Sequence, residues 1–274
     1  MASYLIGDIH GCSRTLARLL TRLPLRAGRD RLLLTGDLVN RGPDSLGVLR
    51  WAMEQGGKLV CVLGNHDLQL LGQAWEIEGF SPAAALQEVL DAPDAERILQ
   101  WLRMRPLLVQ EQESGALLVH AGLLPAWTAQ HALQVSARCE ELLRGPKAPA
   151  LLHAMKKLAL EPAAESSPEF LEPASFLRVV SSLRVVDAQG AMVPGFTGAL
   201  EERPPGTRAW FMAEERRTRG QRVLFGHWAR LGLLLREDAW CLDSACVWGK
   251  ALSAVRLDDG KVFQEPFAEE AKRS

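Results

Sequence analysis

The chain contains six histidines, and four of them (His10, His66, His120 and His227) stand in glycine-containing turns just after an apolar run. Aspartate and asparagine share these turns: Gly7-Asp8-Ile9-His10-Gly11, Gly36-Asp37-Leu38-Val39-Asn40-Arg41-Gly42 and Gly64-Asn65-His66-Asp67, followed later by His120-Ala121-Gly122 and Gly226-His227. Carboxylate, imidazole and amide oxygen are ligands for hard or borderline divalent cations, and the chemistry they suit is two-metal hydrolysis of a phosphoester. Asp8 and His10 lie two residues apart, so an extended backbone sends both side chains to one face. Taken alone, such a pair more often marks an Asx turn. Asp37 has two carboxylate oxygens that could bridge two cations. Asn65 offers a neutral oxygen, which fits manganese, magnesium or iron better than a closed zinc site. His120 and His227 would each read singly as core histidines; beside the earlier clusters they read as ligands. His131 and His153 lie in helical context and look incidental.

These turns need strands to hold them. Tyr4-Leu5-Ile6, Leu32 to Thr35, Lys58 to Leu63 and Ala116 to His120 are short apolar runs that read as buried strands. Leu16, Leu19, Leu20 and Leu23 give a helix from about Ser13 that Pro24 stops, and Asp44 can cap a second helix ending at Gly56-Gly57. This alternation implies right-handed βαβ units, a largely parallel sheet and active residues at its carboxyl edge. Two helices are expected between Pro82 and Arg105, a hairpin from Leu107 to His120 and a helix from Pro125 to Leu143. The alanine- and proline-rich region 145–173 reads as short surface helices. Five runs between Gln221 and Gln264 read as an antiparallel meander.

Composition narrows the classes. With 274 residues, 47% hydrophobic and 24% charged, the chain is an ordinary globular protein, and a net charge of -1 gives no global field for nucleic acid. Its five cysteines are odd in number and scattered, so buried free thiols in a reducing cytoplasm are expected. The first residues read as a strand and not as a basic n-region, and no apolar stretch approaches the roughly 18 residues of a membrane span.

Asp8-x-His10, Gly36-Asp37-x-x-x-Arg41-Gly42, Gly64-Asn65-His66, His120-Ala121-Gly122 and Gly226-His227 resemble the metallophosphoesterase superfamily, in its protein-phosphatase-like branch. Tyr4 to Cys12, Leu63 to Leu68 and Leu242-Asp243-Ser244-Ala245-Cys246-Val247-Trp248-Gly249 resemble the bacterial symmetrical diadenosine tetraphosphatases. The resemblance implies an α/β fold, with a central β-sandwich of two mixed sheets flanked by helices. It implies one domain over residues 1–274, with a helical cap or insertion around 145–205. One metal falls to Asp8, His10 and Asp37, the other to Asp37, Asn65, His120 and His227. The two lie roughly 3.5–4 Å apart, with a hydroxide as nucleophile. Manganese is the implied ion, with cobalt or magnesium as alternatives. His66 becomes the general acid and Arg41 the phosphate clamp.

The protein phosphatases of this branch pair their acid histidine with an aspartate where this chain has Asn40. An amide can orient His66 but does not stabilise an imidazolium as a carboxylate does. That difference favours a phosphate leaving group over a serine alkoxide. Asp67 is a second candidate for orienting His66, or a first-turn helix carboxylate. Arg184 is a candidate phosphate ligand. Trp228 and Trp210-Phe211 are candidates for stacking adenine, with core packing as the competing reading, and Trp248 reads as structural. The implied reaction is symmetrical hydrolysis of diadenosine tetraphosphate to two ADP; a cytoplasmic chain without membrane attachment is expected, its oligomeric state open with a monomer slightly favoured. Nucleoside-tetraphosphate caps on RNA 5′ ends would fit the same chemistry. The rival readings are a protein serine/threonine phosphatase and a catalytically inactive metal-binding scaffold.

Overall fold

The computed structural model describes residues 1–26, 28–160 and 167–270. The chain opens with β1 (Ser3–Ile6) and α1 (Ser13–Arg22), then β2 (Arg31–Leu34), α2 (Ser45–Glu54), β3 (Leu59–Cys61) and α3 (Asn65–Ala74). β1 pairs in parallel with β2, and β2 with β3. The Asp44 carboxylate accepts the Gly47 N–H at 2.8 Å, satisfying one of the free donors that open α2. Next come α4 (Ala84–Leu90), α5 (Ala95–Arg103) and the antiparallel pair β4 (Leu108–Gln110) and β5 (Leu117–Val119).

The region read as short surface helices forms something longer. α6 (Ala129–Arg144), α7 (Ala148–Leu160) and α8 (Pro168–Ser182) pack on one another. Leu151, Leu152, Phe176 and Leu177 are buried among them. Small alanines permit this close approach, and Pro168 sits in the first turn of α8, where its missing N–H leaves no bond unmade. Residues 161–166 of the expected cap lie outside the described residues.

The remaining strands are β6 (Val185–Val186), β7 (Arg208–Ala209), β8 (Val223–Phe225), β9 (Leu234–Leu235), β10 (Ala239–Cys241), β11 (Ala251–Arg256) and β12 (Val262–Pro266). They do not form the expected meander. One five-stranded sheet runs β12-β11-β1-β2-β3, a second runs β4-β5-β8-β10-β9, and β6 with β7 makes a separate ribbon. β8 lies parallel to both β5 and β10, while β11 is antiparallel to β1. Local periodicity identifies strands but carries no information on which sheet receives them. The chain changes sheet between β10 and β11, so one apparent meander is shared between two sheets. Both sheets are mixed, which corrects the largely parallel expectation.

Alternation along the strands makes two apolar layers. Leu5, Leu33, Val62, Leu118, Leu224 and Val255 fill the space between the sheets. Tyr4, Ile6, Leu32 and Leu34 face the other way, into the larger core that includes the helices. Leu224 is fully buried in the inter-sheet layer. Leu224→Ala is expected to cost about 2–5 kcal/mol in urea unfolding, because rigid sheets cannot collapse onto the void.

Candidate metal centre and its cavity

The polar turns converge where β1, β2, β3, β5 and β8 end. Among the described residues, seven non-glycine positions have positive φ, and six belong to this convergence: His10, Asp37, Asn40, Arg41, His227 and Ala245. Such backbone is costly for residues with a Cβ and persists where the surroundings impose it. Two glycines allow the approach. A Cβ on Gly64 would lie 2.1 Å from Asp37 Oδ1, and one on Gly226 only 1.8 Å from Asp8 Oδ1.

Asp37 stands at the middle. Its Oδ1 accepts the His66 backbone N–H at 2.8 Å, and its Oδ2 lies 3.5 Å from both His10 Nε2 and His120 Nε2. Two clusters therefore share it: His10, Asp37 and His66 on one side, and Asp37, His120 and His227 on the other. Asn65 joins the second, its Oδ1 3.1 Å from His120 Nε2. Asp8 lies outside both clusters, with Oδ1 accepting the Thr35 hydroxyl at 2.7 Å and Oδ2 the His227 N–H at 2.9 Å. Each oxygen keeps a further lone pair.

The donor set fits divalent cations. His10 Nδ1 faces the Val39 carbonyl at 3.1 Å and His120 Nδ1 the Thr35 carbonyl at 2.8 Å. A carbonyl only accepts, so each ring carries its proton on Nδ1. Burial pushes His10 down to about 4 and His120 down to about 3, keeping both neutral at ordinary pH. Their bare Nε2 lone pairs then point at Asp37 Oδ2, and His120 Nε2 also at Asn65 Oδ1. While Asp37 is ionised, acceptors meet acceptors with no hydrogen between them. Burial, and then neighbouring carboxylates, hold Asp8 and Asp37 well above the usual carboxylate range. Cations at this place would relieve both conditions.

His66 is oriented by Asn40. The Asn40 Oδ1 accepts the Arg41 N–H at 2.8 Å, leaving its amide hydrogens for Gln69 Oε1 at 3.3 Å and His66 Nδ1 at 2.8 Å. Nδ1 is thus an acceptor and the neutral ring carries its proton on Nε2. Burial, followed by the charges of His10 and Arg41, pushes this imidazole down to about 2.

Asp67 does not orient His66, which corrects the second candidate. Its carboxylate accepts the backbone N–H groups of Asp37 at 2.8 Å, Leu38 at 3.0 Å and Gly64 at 2.9 Å. It clamps the two ligand-bearing loops together. Asp67→Ala strands three buried donors and should cost about 2–5 kcal/mol in denaturant unfolding, with Asp67→Asn recovering part of the loss.

A cavity of about 630 Å³ opens over the cluster. Arg41 and Arg184 both line it. Arg184 donates to the Phe196 carbonyl at 3.1 Å and the His227 carbonyl at 2.9 Å, which fixes its charge beside the buried carboxylates. Trp210 is fully buried among Phe211 and Phe225, so it cannot stack a ligand. Trp228 borders the cavity, but its ring is 1% exposed, with Nε1 donating to the Gly198 carbonyl. Both are core residues.

Asp243 was missed by the sequence reading. It lines the cavity, its Oδ1 accepts the Ala245 N–H at 3.1 Å, and burial raises it to about 6. The available signal was the one that found Asp8 and Asp37: an aspartate directly after an apolar strand.

Residues 1–154 match the model of the calcineurin-like phosphoesterases, and the chain belongs to that family. Full-length relatives narrow the likeness. A Methylobacillus flagellatus protein named symmetrical bis(5′-nucleosyl)-tetraphosphatase is 42% identical over 97% of this chain and 95% of its own. An Azotobacter vinelandii protein of the same name is 41% identical, covering 95% of each chain. Among solved structures, one described as a candidate diadenosine tetraphosphatase superposes with a TM-score of 0.67 at 25% identity, covering 98% of this chain and 95% of that one. A Saccharomyces cerevisiae protein serine/threonine phosphatase shares the fold, with a TM-score of 0.57 at 14% identity over 100% of this chain and 82% of its own.

Proposed function

We propose that this chain hydrolyses dinucleoside tetraphosphates symmetrically, diadenosine tetraphosphate giving two ADP. The observation that carries this is the 42% identity to a symmetrical bis(5′-nucleosyl)-tetraphosphatase along 97% of the chain. Beside it stands a shared carboxylate between two ligand clusters.

Asp8, His10 and Asp37 would hold one divalent ion, and Asp37, Asn65, His120 and His227 the other. The mixture of imidazole with carboxylate and amide oxygen suits manganese or cobalt, with magnesium the weaker fit. Bound there, the ions supply Lewis-acid neutralisation of phosphoryl charge and an attacking water of lowered pKa. The chain's own residues do the rest. Arg41, exposed at the cavity wall, holds non-bridging phosphate oxygens through its planar fork, and Arg184 adds positive charge from behind. Attack at the second phosphorus from one nucleoside breaks the bond between that phosphorus and the central bridging oxygen. The departing nucleoside diphosphate leaves as a weakly basic phosphate oxygen, which accepts a hydrogen bond from the Nε2–H that Asn40 keeps on His66.

The leaving group decides between this reading and a protein phosphatase. A phosphate oxygen departs with little help, whereas a serine alkoxide demands a stronger acid. Asn40→Asp is expected to raise phosphopeptide turnover relative to dinucleotide turnover; wild type that already cleaves phosphopeptides well would refute the argument. Nucleoside-tetraphosphate-capped RNA presents the same anhydride, but a net charge of -1 offers little general attraction for the RNA body. Five buried free thiols suit the reducing cytoplasm.

The decisive experiment incubates manganese-loaded protein with diadenosine tetraphosphate and separates the products. Two ADP are expected. ATP with AMP would overturn the symmetrical assignment, and no turnover would leave a metal-binding scaffold. In the same assay His66→Ala should keep its metal while losing about 10²–10⁴ in kcat. Asp37→Asn should lose metal, as read by elemental analysis after dialysis.

A further inference from the structure

Trp248 is 61% exposed, and among the described residues it is the one large aromatic side chain left open to solvent. It also lines the cavity above the metal centre. The Arg41 guanidinium lies over one face of its ring, 5.0 Å from the centroid. An indole so displayed forfeits apolar burial, and its position beside the phosphate-gripping arginine calls for an occupant.

The turn that carries it is braced. Ala245 and Gly249 flank the tryptophan's single helical turn in left-handed backbone, with φ of 59° and 84°. Asp243 Oδ1 accepts the Ala245 N–H at 3.1 Å, and the Ala245 carbonyl accepts the N–H groups of Trp248 at 3.1 Å and Lys250 at 3.2 Å. Cys246 anchors the turn in the core. The ring is therefore presented by a fixed backbone. Lys250 follows it along the same cavity wall, exposed and with no ion pair among the described residues.

We infer that Trp248 is the platform on which a nucleobase of the substrate stacks, with Arg41 joining that platform to the phosphate chain and Lys250 supplying counter-charge. The inference rests on the dinucleotide reading above. A phosphate chain alone is polar throughout and gains nothing from an indole, whereas every base has a π-face to lay on it. Arg41 occupies one face of Trp248, leaving the other for the base. One arginine thus touches both the stacking ring and the reacting phosphates, which couples base recognition to phosphate placement.

The test uses manganese-loaded wild type, Trp248→Ala and Trp248→Phe. KM for diadenosine tetraphosphate and dissociation constants for ADP and for inorganic pyrophosphate are measured by kinetics and calorimetry. Trp248→Ala is expected to raise KM and the ADP constant about tenfold to a hundredfold, to change kcat less than KM, and to leave pyrophosphate binding within about twofold. Trp248→Phe, which keeps a ring, should recover most of the loss. Equal losses for ADP and pyrophosphate would overturn the inference, as would no loss for either. Wild type that fails to cleave the dinucleotide at all would instead overturn the functional reading, and the stacking role with it.

Discussion

The structure is organised around a place where hydrogen-bond acceptors face one another. His10 and His120 each commit their N–H to a backbone carbonyl, so the opposite nitrogen arrives bare beside Asp37. Left to itself this crowding is repulsive, and it persists because the loops are held from outside. Asp67 ties the backbone of Asp37 and Leu38 to that of Gly64, and Asp8 ties itself to Thr35 and the His227 backbone. The left-handed conformations at six positions belong to the same constraint. A site rich in acceptors and short of hydrogens is preorganised for cations, and the surrounding protein bears the strain.

Asn40 sets the protonation geometry of His66. Its oxygen is engaged by the Arg41 N–H, so its amide hydrogens, not its oxygen, meet His66. A carboxylate in that place would accept from the ring and move the imidazole proton to Nδ1, unless the ring were doubly protonated. The two side chains are nearly equal in shape yet opposite in hydrogen-bond sense. The choice between them fixes which ring nitrogen carries the imidazole proton.

Much of this was legible in the residues. Strand-end polar turns pointed to the side chains of both ligand clusters, because several such turns in one chain are hard to explain by local structure alone, whereas Asp243, which lies in the same cavity, was passed over. What escaped was set by contacts remote in sequence. Asp67 reads as a helix-start carboxylate, and only the fold shows that it reaches back to Asp37 and Leu38. The C-terminal strands were found but assigned to one sheet, since periodicity is blind to a crossover. Trp248 read as structural, as a large aromatic side chain ordinarily is. Trp210 and Trp228 are buried. The distinction lies in two left-handed residues that turn the chain outward at Ala245 and Gly249.

The pairing of β1 with β11 has a bearing on synthesis. β1 waits for a partner encoded far downstream, and α1 waits likewise for Glu269, which accepts the Thr15 N–H. Until residues 251–266 appear, the nascent sheet exposes the free edge of β1 to any passing strand. The chain is consequently exposed to aggregation through all the synthesis that precedes β11, and a fragment lacking β11 and β12 carries that open edge permanently.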